Sequence, residues 1–172
     1  MDVVKGPDNR EQLISQWILL YEKDLLRLCC MYLRDVKLAE DAVQETFLKA
    51  YKSMDAFRGE RGVKPWLVRI AVNVCRDVGR SAWFKMLRNA VELEAYQIAQ
   101  PEGNFTIRSE VTMEIMRLPR ACKEVVLLRY YEGFSQTEIA QTLNVSNTTV
   151  HRRLEKAHRL LKDVLKGEEE YA

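Results

Sequence analysis

Residues 135–154 read SQTEIAQTLNVSNTTVHRRL, and this stretch decides the fold of the C-terminal half of the chain. Ser135 and Glu138 have the spacing of a capping box, so we expect a helix to begin directly after Ser135. Asn144 stands where a turn between two helices needs a left-handed backbone, which asparagine tolerates. The small Ala140 allows the two helices to cross closely. The stretch therefore predicts a helix-turn-helix.

The second helix of this pair begins at Ser146, which can cap it, and it carries short polar side chains first and arginines after them. Short polar groups suit base edges, and arginines suit phosphates, when a helix lies in a DNA major groove. The residues that we predict to contact DNA here are Ser146, Asn147, Thr148, Thr149, His151, Arg152, Arg153 and Lys156. The alternative is a helical hairpin with a solvated basic face.

The rest of the chain also has the pattern of helices. Apolar residues recur every three or four positions, and the 172 residues include only 7 glycines and 4 prolines, so we predict an all-α fold. Helices over about 9–34 and 36–54, and a third with Pro65 in its first turn, predict a first small domain over residues 9–83.

A second small domain follows an irregular segment. Residues 84–105 are acidic and contain Pro101 to Asn104, which predicts a linker. Short helices near 111–118 and 121–131 then precede the helix-turn-helix, so the second domain is predicted to span residues 106–167. Gly133 is expected to end the helix before it.

Charge is distributed unevenly, although the formal net charge is only +2. Between Arg58 and Arg88 the only acidic residues are Glu60 and Asp77, among many basic ones. Basic residues also dominate 146–166, and an acidic stretch separates the two blocks. Two basic blocks in separate halves indicate two contacts with one polyanion.

The first basic block interleaves aromatic and basic side chains. Aromatic rings stack on unpaired bases and arginines follow the phosphate backbone, so the mixture suits melted or single-stranded DNA. The candidate residues are Phe57, Arg58, Lys64, Trp66, Arg69, Asn73 and Arg76. The alternative is that Phe57 and Trp66 belong to the core beneath an ordinary charged surface.

The second predicted helix exposes a polar face with Asp41, Gln44, Glu45 and Lys49. From the residues alone this is a solvated surface. No histidine or cysteine accompanies the two carboxylates, and the chain has no glycine-rich phosphate loop. We therefore predict no catalytic residue, no metal and no cofactor, and the chain is not expected to be an enzyme.

The four cysteines, Cys29, Cys30, Cys75 and Cys122, form no CxxC pair. We interpret them as small buried hydrophobic residues in a reducing cytosol. A zinc site with His151 or His158 is the alternative, and the spacing does not support it. No signal peptide or membrane-spanning run is visible, so we expect a soluble, cytoplasmic protein.

Two blocks of sequence resemble a known family. Residues 39–51 (AEDAVQETFLKAY), 54–59 (MDAFRG) and 65–73 (PWLVRIAVN) resemble the second conserved region of bacterial sigma factors. Leu118-Pro119, residues 125–140 (VVLLRYYEGFSQTEIA) and the helix that follows resemble the fourth. Because the other family regions are missing, the chain resembles the extracytoplasmic-function (ECF) class of the sigma-70 family.

This resemblance implies roles that the residues alone left open. The face with Asp41, Gln44, Glu45 and Lys49 would bind core RNA polymerase, and Phe57 to Arg76 would melt and read the −10 promoter element. A base flipped out of the non-template strand would be held near Phe57 and Asn73. The helix from Ser146 would read the −35 element. The family also implies an anti-sigma protein, often membrane-bound, that holds the factor inactive.

Four positions depart from the usual family pattern. His151 stands where lysine is common, Asn144 replaces a common glycine, and Glu155 and His158 stand where basic residues are frequent. These differences bear on which promoter is read. A rival interpretation is an autonomous dimeric helix-turn-helix regulator that binds a palindrome without polymerase.

Overall fold

The computed structural model describes residues 7–59, 62–88 and 110–169. The chain divides into two compact units, Met1–Pro101 and Glu102–Ala172. Regular structure in the described ranges is helical throughout and includes no strand. The predicted all-α fold of two small helical domains is confirmed.

In its described residues, the first unit is a three-helix domain. Its elements are α1 (Pro7–Leu33), α2 (Val36–Lys52), a short 3-10 turn (Met54–Ala56) and α3 (Val63–Arg88). A two-residue junction joins α1 to α2: Arg34 has a φ of 60°, and the Asp35 carboxylate accepts a hydrogen bond of 2.8 Å from the Leu38 amide. The carboxylate satisfies one of the amides that a helix start leaves unpaired, so α2 begins where the chain reverses.

All three helices contribute to one apolar core. α1 packs on α2 and on α3, and α2 packs on α3. The fully buried side chains include Leu25 of α1, Met54 of the 3-10 turn, and Leu67 and Val68 of α3. Burial of each such side chain contributes about 1.5–3 kcal/mol. The core therefore fixes the faces that α2 and α3 turn to solvent.

Two boundaries of the first unit differ from the sequence prediction. The second helix was expected to reach Met54, but α2 ends at Lys52 and the 3-10 turn follows, with Met54 fully buried. The linker was expected to begin at Phe84, whereas α3 continues to Arg88. Pro65 lies in the first turn of α3 as predicted, where its missing N–H costs no hydrogen bond.

The second unit contains four helices between residues 110 and 169, the part of it that the structure describes. These are α4 (Glu110–Arg117), α5 (Arg120–Val126, continuing as a π-helical turn over Leu127–Tyr131), α6 (Gln136–Leu143) and α7 (Asn147–Glu169). Residues 122–128 of α5 and its continuation are all buried. Seven successive positions cover every side of a helix, so α5 is the central helix that the others surround.

The π-helical turn was not predicted. Its wider backbone is visible in the Glu132 amide, which donates to the Leu127 carbonyl at 3.2 Å. Gly133 then adopts a φ of 70°, and the Phe134 amide closes on the Leu128 carbonyl at 2.9 Å. Gly133 ends the helix as expected, because a left-handed residue that satisfies the last carbonyls is most easily a glycine.

The junction between α6 and α7 follows the sequence prediction closely. Ser135 and Glu138 form both bonds of the capping box at the start of α6. Asn144 is left-handed, with φ 54° and ψ 52°, and the Val145 amide donates to the Ala140 carbonyl at 2.9 Å. Ile139 and Val150 are fully buried in the crossing. The helix-turn-helix is therefore present.

Candidate nucleic-acid interface

The N-terminus of α7 is held by its cap and by α6. The Thr149 amide donates to Ser146 Oγ at 3.1 Å, and the two side-chain hydroxyls lie 2.9 Å apart. Gln136 Nε2 donates to the Asn147 carbonyl at 3.1 Å. Ser146 and Thr149, both predicted to contact DNA, are therefore occupied with starting the helix. Their hydrogen bonds fix where the first turn of α7 begins.

Most of the other predicted DNA contacts share one exposed face of α7. The exposed members are Asn147, Thr148, His151, Arg152 and Lys156. His151 Nε2 lies 3.4 Å from a carboxylate oxygen of Glu155, one turn further along. Amide, hydroxyl, imidazole and guanidinium groups on one helical face can donate to base edges and to phosphates.

Arg153 points elsewhere. Its side chain is only 25% exposed, and its Nη1 atom lies 3.9 Å from a carboxylate oxygen of Glu124 in α5. Val150 and Ala157, which share its side of α7, are fully buried. The structure thus separates Arg153 from the exposed face to which its neighbour Arg152 belongs.

In the first unit, the two predicted aromatic residues pack with a third. Phe57 and Trp66 have ring centroids 4.9 Å apart, and both lie edge-on to Trp17 of α1, at 5.6 and 5.8 Å. Trp17 is buried, whereas Phe57 and Trp66 are half-buried. They therefore belong to an aromatic cluster of the core and also keep part of each ring accessible. The sequence pattern did not indicate that Trp17 joins them.

The polar candidates of the first unit lie on α3 and around its start. Arg69 and Asn73 are exposed and one turn apart, and Arg76 follows, half-buried, on the same side. Arg58 is exposed, just before the turn that leads to α3. Lys64 Nζ lies 3.0 Å from Asp24 of α1, so this lysine is engaged within the domain.

The predicted face of α2 is exposed along its length. Asp41, Gln44 and Glu45 are all exposed, and Lys49 Nζ lies 3.9 Å from the Glu45 carboxylate. Leu48 lies on the same face and is 54% exposed, although the sequence analysis did not single it out. A single exposed apolar side chain is ordinary on a protein surface, so Leu48 does not by itself identify an interface. The sequence could have indicated that Leu48 is exposed, because this leucine lies seven residues after Asp41 and outside the apolar stripe of the helix.

The cysteines belong to the buried interior and not to the exposed faces of α2, α3 and α7. All four are free and buried. The Cys75 and Cys29 Sγ atoms are 3.5 Å apart, between α3 and α1. Among the described residues, no three His, Cys, Asp or Glu side chains are grouped so that they could hold a metal ion. His158, one of the two histidines of the zinc alternative, lies 2.7 Å from the Tyr130 hydroxyl.

No helix within the described ranges is long and apolar enough to cross a bilayer.

Comparisons with known proteins match both units. The chain matches the family model for Sigma-70 region 2 over residues 17–85 and the model for Sigma-70, region 4 over residues 108–161. It is 33% identical over 132 residues to the ECF RNA polymerase sigma-E factor of Escherichia coli, with 68% of each chain covered. It is 27% identical over 160 residues to the ECF RNA polymerase sigma factor SigW of Bacillus subtilis, with 86% of each covered.

A solved structure has the same fold. The sigma factor RpoE of Bartonella quintana, crystallised with the anti-sigma factor NepR, superposes with a TM-score of 0.73 at 24% identity. The match covers 88% of this chain and 96% of that one.

Proposed function

Since this chain belongs to the sigma-70 family of RNA polymerase sigma factors, in its ECF class, we propose that it binds core RNA polymerase and directs promoter-specific initiation through a −10 and a −35 element. The observation that carries the proposal is that regions 2 and 4 occur in one chain, in family order. Sigma factors are initiation factors rather than enzymes, so the chain contributes recognition and leaves RNA synthesis to the polymerase.

The second unit is proposed to read the −35 element with α7. Its exposed face offers donors and acceptors at the N-terminal end and cationic groups further along, an order that suits base edges and then phosphates. The proposed contacts are Asn147, Thr148, His151, Arg152 and Lys156. Ser146 and Thr149 support them as the cap of the helix.

The first unit is proposed to open and read the −10 element. Arg69, Asn73 and Arg76 form a polar row on α3, and the accessible edges of Phe57 and Trp66 provide surfaces for stacking. A single strand would therefore meet cationic and aromatic groups together. Because both rings also pack on Trp17, their positions are fixed before DNA arrives.

The face of α2 is proposed to bind the polymerase. Its carboxylates and Lys49 offer charged contacts around Leu48, which would be desolvated on binding. Apolar burial at the centre with charges at the rim is the usual composition of a protein interface.

An anti-sigma factor is proposed as a further partner. RpoE of Bartonella quintana forms a complex with the anti-sigma factor NepR, and that sigma factor shares the fold of this chain. By analogy, a protein of this type would hold the chain inactive until a signal releases it. On this proposal the chain acts in the cytoplasm, where core polymerase and promoter DNA are found.

The two proposed roles are assigned to two successive domains of the chain. The polymerase-binding and −10 domain, predicted over residues 9–83, is proposed to extend to Arg88, and residues 106–167 are proposed as the −35 domain. The connecting segment is proposed to begin after Arg88, where α3 ends, instead of at Phe84.

Run-off transcription tests the function directly. Purified bacterial core polymerase is assayed with and without the chain on a pool of upstream fragments from the source genome. We expect discrete transcripts that depend on the chain, and their start sites define the −10 and −35 elements. If no new start site appears while the chain alone binds duplex fragments tightly, the autonomous regulator replaces the sigma factor.

A further inference from the structure

A buried carboxylate lies at the centre of the second unit. Glu124 of α5 is 2% exposed, and its two oxygens face two guanidinium groups. Arg120, one turn earlier on the same helix, donates through Nε to Oε1 at 3.1 Å. Arg153 of α7 approaches Oε2 at 3.9 Å. One carboxylate thus links its own helix to the helix proposed to read DNA.

Because Glu124 is buried, its ion pairs are sensitive to the loss of either charged partner. A carboxylate removed from water needs opposite charge close by, and loss of one partner leaves the remaining charge uncompensated. Nη1 of Arg153 is itself buried and has no hydrogen-bond partner, so the nearby carboxylate charge is what compensates it. Arg153 is therefore constrained to stay directed at α5.

Rotation of α7 about its own axis is the property that this constraint controls. Successive residues of a helix point about 100° apart, so a turn of α7 by one position would carry Arg153 to the side that Arg152 occupies. A small rotation can leave Val150 and Ala157 buried while it moves the Arg153 guanidinium away from the Glu124 carboxylate, which leaves both charges less compensated. The ion pair thus discriminates between two arginines that the sequence places side by side.

We propose that Glu124 is a positioning residue that fixes the rotation of α7 through Arg153, and thereby determines which side chains read the −35 element. The inference rests on the proposed function of the chain. It removes Arg153 from the DNA-contacting set and leaves Arg152 in it. Glu124 touches no DNA and acts only through the orientation of the helix.

The experiment uses holoenzyme and the promoter identified by run-off transcription. The measured quantity is the rate from that promoter divided by the rate from the same promoter with a scrambled −35 element. The variants are Glu124→Gln, Arg153→Met and the double variant, and thermal unfolding is recorded for each. Arg120→Met is the matched control, since it removes the carboxylate's other partner without touching α7.

We expect the ratio to fall about tenfold in both single variants and in the double variant, comparable to the loss of one base contact. Arg120→Met should leave it unchanged. The single variants should melt earlier than wild type and the double variant should recover, because both buried charges of the Glu124–Arg153 pair are then removed and the remaining Arg120 side chain is 47% exposed to water. A purely structural role would restore the ratio together with the melting temperature, so a double variant with the wild-type ratio overturns the proposal.

The salt dependence of promoter binding provides a second measurement. A phosphate contact contributes about 0.9 to the slope of log affinity against log salt. We expect Arg152→Ala to lower the slope by about that amount, and Arg153→Met to change it no more than Glu124→Gln does, since both of these variants act on α7 through the same ion pair. A lower slope in Arg153→Met with the wild-type slope in Glu124→Gln would make Arg153 a DNA contact and overturn the proposal.

Failure of the inference is distinguishable from failure of the proposed function. If the wild-type chain supports no transcription, the proposed function fails and the inference fails with it. If the wild type is active and the Glu124→Gln and Arg153→Met ratios match it, only the inference is overturned.

Discussion

The fold of the first unit alters the ionisation of Cys30. Burial and, to a smaller extent, the nearby Glu40, Cys75 and Asp35 together raise the pKa of its thiol from 9.0 to about 11. A thiol that stays protonated at neutral pH is a poor nucleophile and a poor metal ligand. Cys30 therefore acts as a small apolar side chain of the core.

The raised pKa of Cys30 predicts a loss of stability in alkali. Between about pH 9 and pH 11 the unfolded chain releases the thiol proton while the folded chain keeps it. The unfolded state binds fewer protons in that window, so the free energy of unfolding falls as pH rises, by up to about 1.4 kcal/mol per unit. Well below pH 9 the thiol is protonated in both states, so it does not make the free energy of unfolding depend on pH.

Chemical unfolding at several pH values measures this effect, with Cys30→Ala as the matched comparison. The variant lacks the thiol and should lose less stability between pH 9 and pH 11 than the wild type. Other alkaline groups titrate in both proteins and cancel in the difference. Parallel pH profiles would contradict the raised pKa of Cys30.

The left-handed backbone of Asn144 gives a second prediction at the scale of the residue. It is left-handed, which costs a residue with an ordinary Cβ about 1–2 kcal/mol and glycine almost nothing. We expect Asn144→Ala to lower the free energy of unfolding by about 1 kcal/mol and Asn144→Gly to preserve it or raise it slightly. Urea unfolding followed by circular dichroism compares the two. Equal stabilities for alanine and glycine would contradict a strained turn.

The structural elements that depend only on residues close in sequence could be predicted from the sequence. The capping box, the turn at Asn144 and the end of the helix at Gly133 each depend on residues within one helical turn of one another. The apolar periodicity was likewise enough to predict the all-α fold.

Features that depend on distant residues could not be predicted in this way. The direction of Arg153 is set by a buried carboxylate 29 positions earlier, in α5. Trp17 joins Phe57 and Trp66 across 40 or more positions of sequence. A helical pattern gives the side of a helix but not its tertiary neighbour, so neither contact has a sequence signal.

The exposed face of α2 gives a prediction at the scale of the element. Reversing two charges, with Asp41→Arg and Glu45→Arg together, should abolish assembly with core polymerase, because the charge that the proposed interface presents to its partner is then inverted. Both side chains are exposed, so the fold should be retained. Co-elution with core polymerase on gel filtration measures assembly, and circular dichroism checks the fold.

The control for α2 is an equal charge change on another helix. Glu11 and Glu22 are exposed on α1, so Glu11→Arg with Glu22→Arg changes the net charge by the same amount. This control should assemble as the wild type does. Retained assembly by the α2 variant, or equal loss in both variants, would argue against the proposed interface.

At the scale of the whole molecule, the net charge is low although each unit has a cationic surface. The formal net charge is +2, yet exposed arginines lie on α3 in one unit and on α7 in the other. Each unit has its own apolar core, so each surface is maintained without the other. Two modules that are joined to the same polymerase bind one promoter with a gain in effective concentration.

Separate cores predict that mutations in the two units act independently on promoter binding. Arg69→Ala and Arg152→Ala should each weaken holoenzyme binding to the promoter, and the double variant should lose the sum of the two free energies within about 0.5 kcal/mol. Arg69→Ala with Asn73→Ala is the comparison pair, since these residues are neighbours on α3 and should be non-additive. Affinities are measured by competition at one fixed salt concentration, because phosphate contacts vary with salt. A coupling above about 1 kcal/mol between Arg69 and Arg152 would mean that the two units do not read DNA as independent modules.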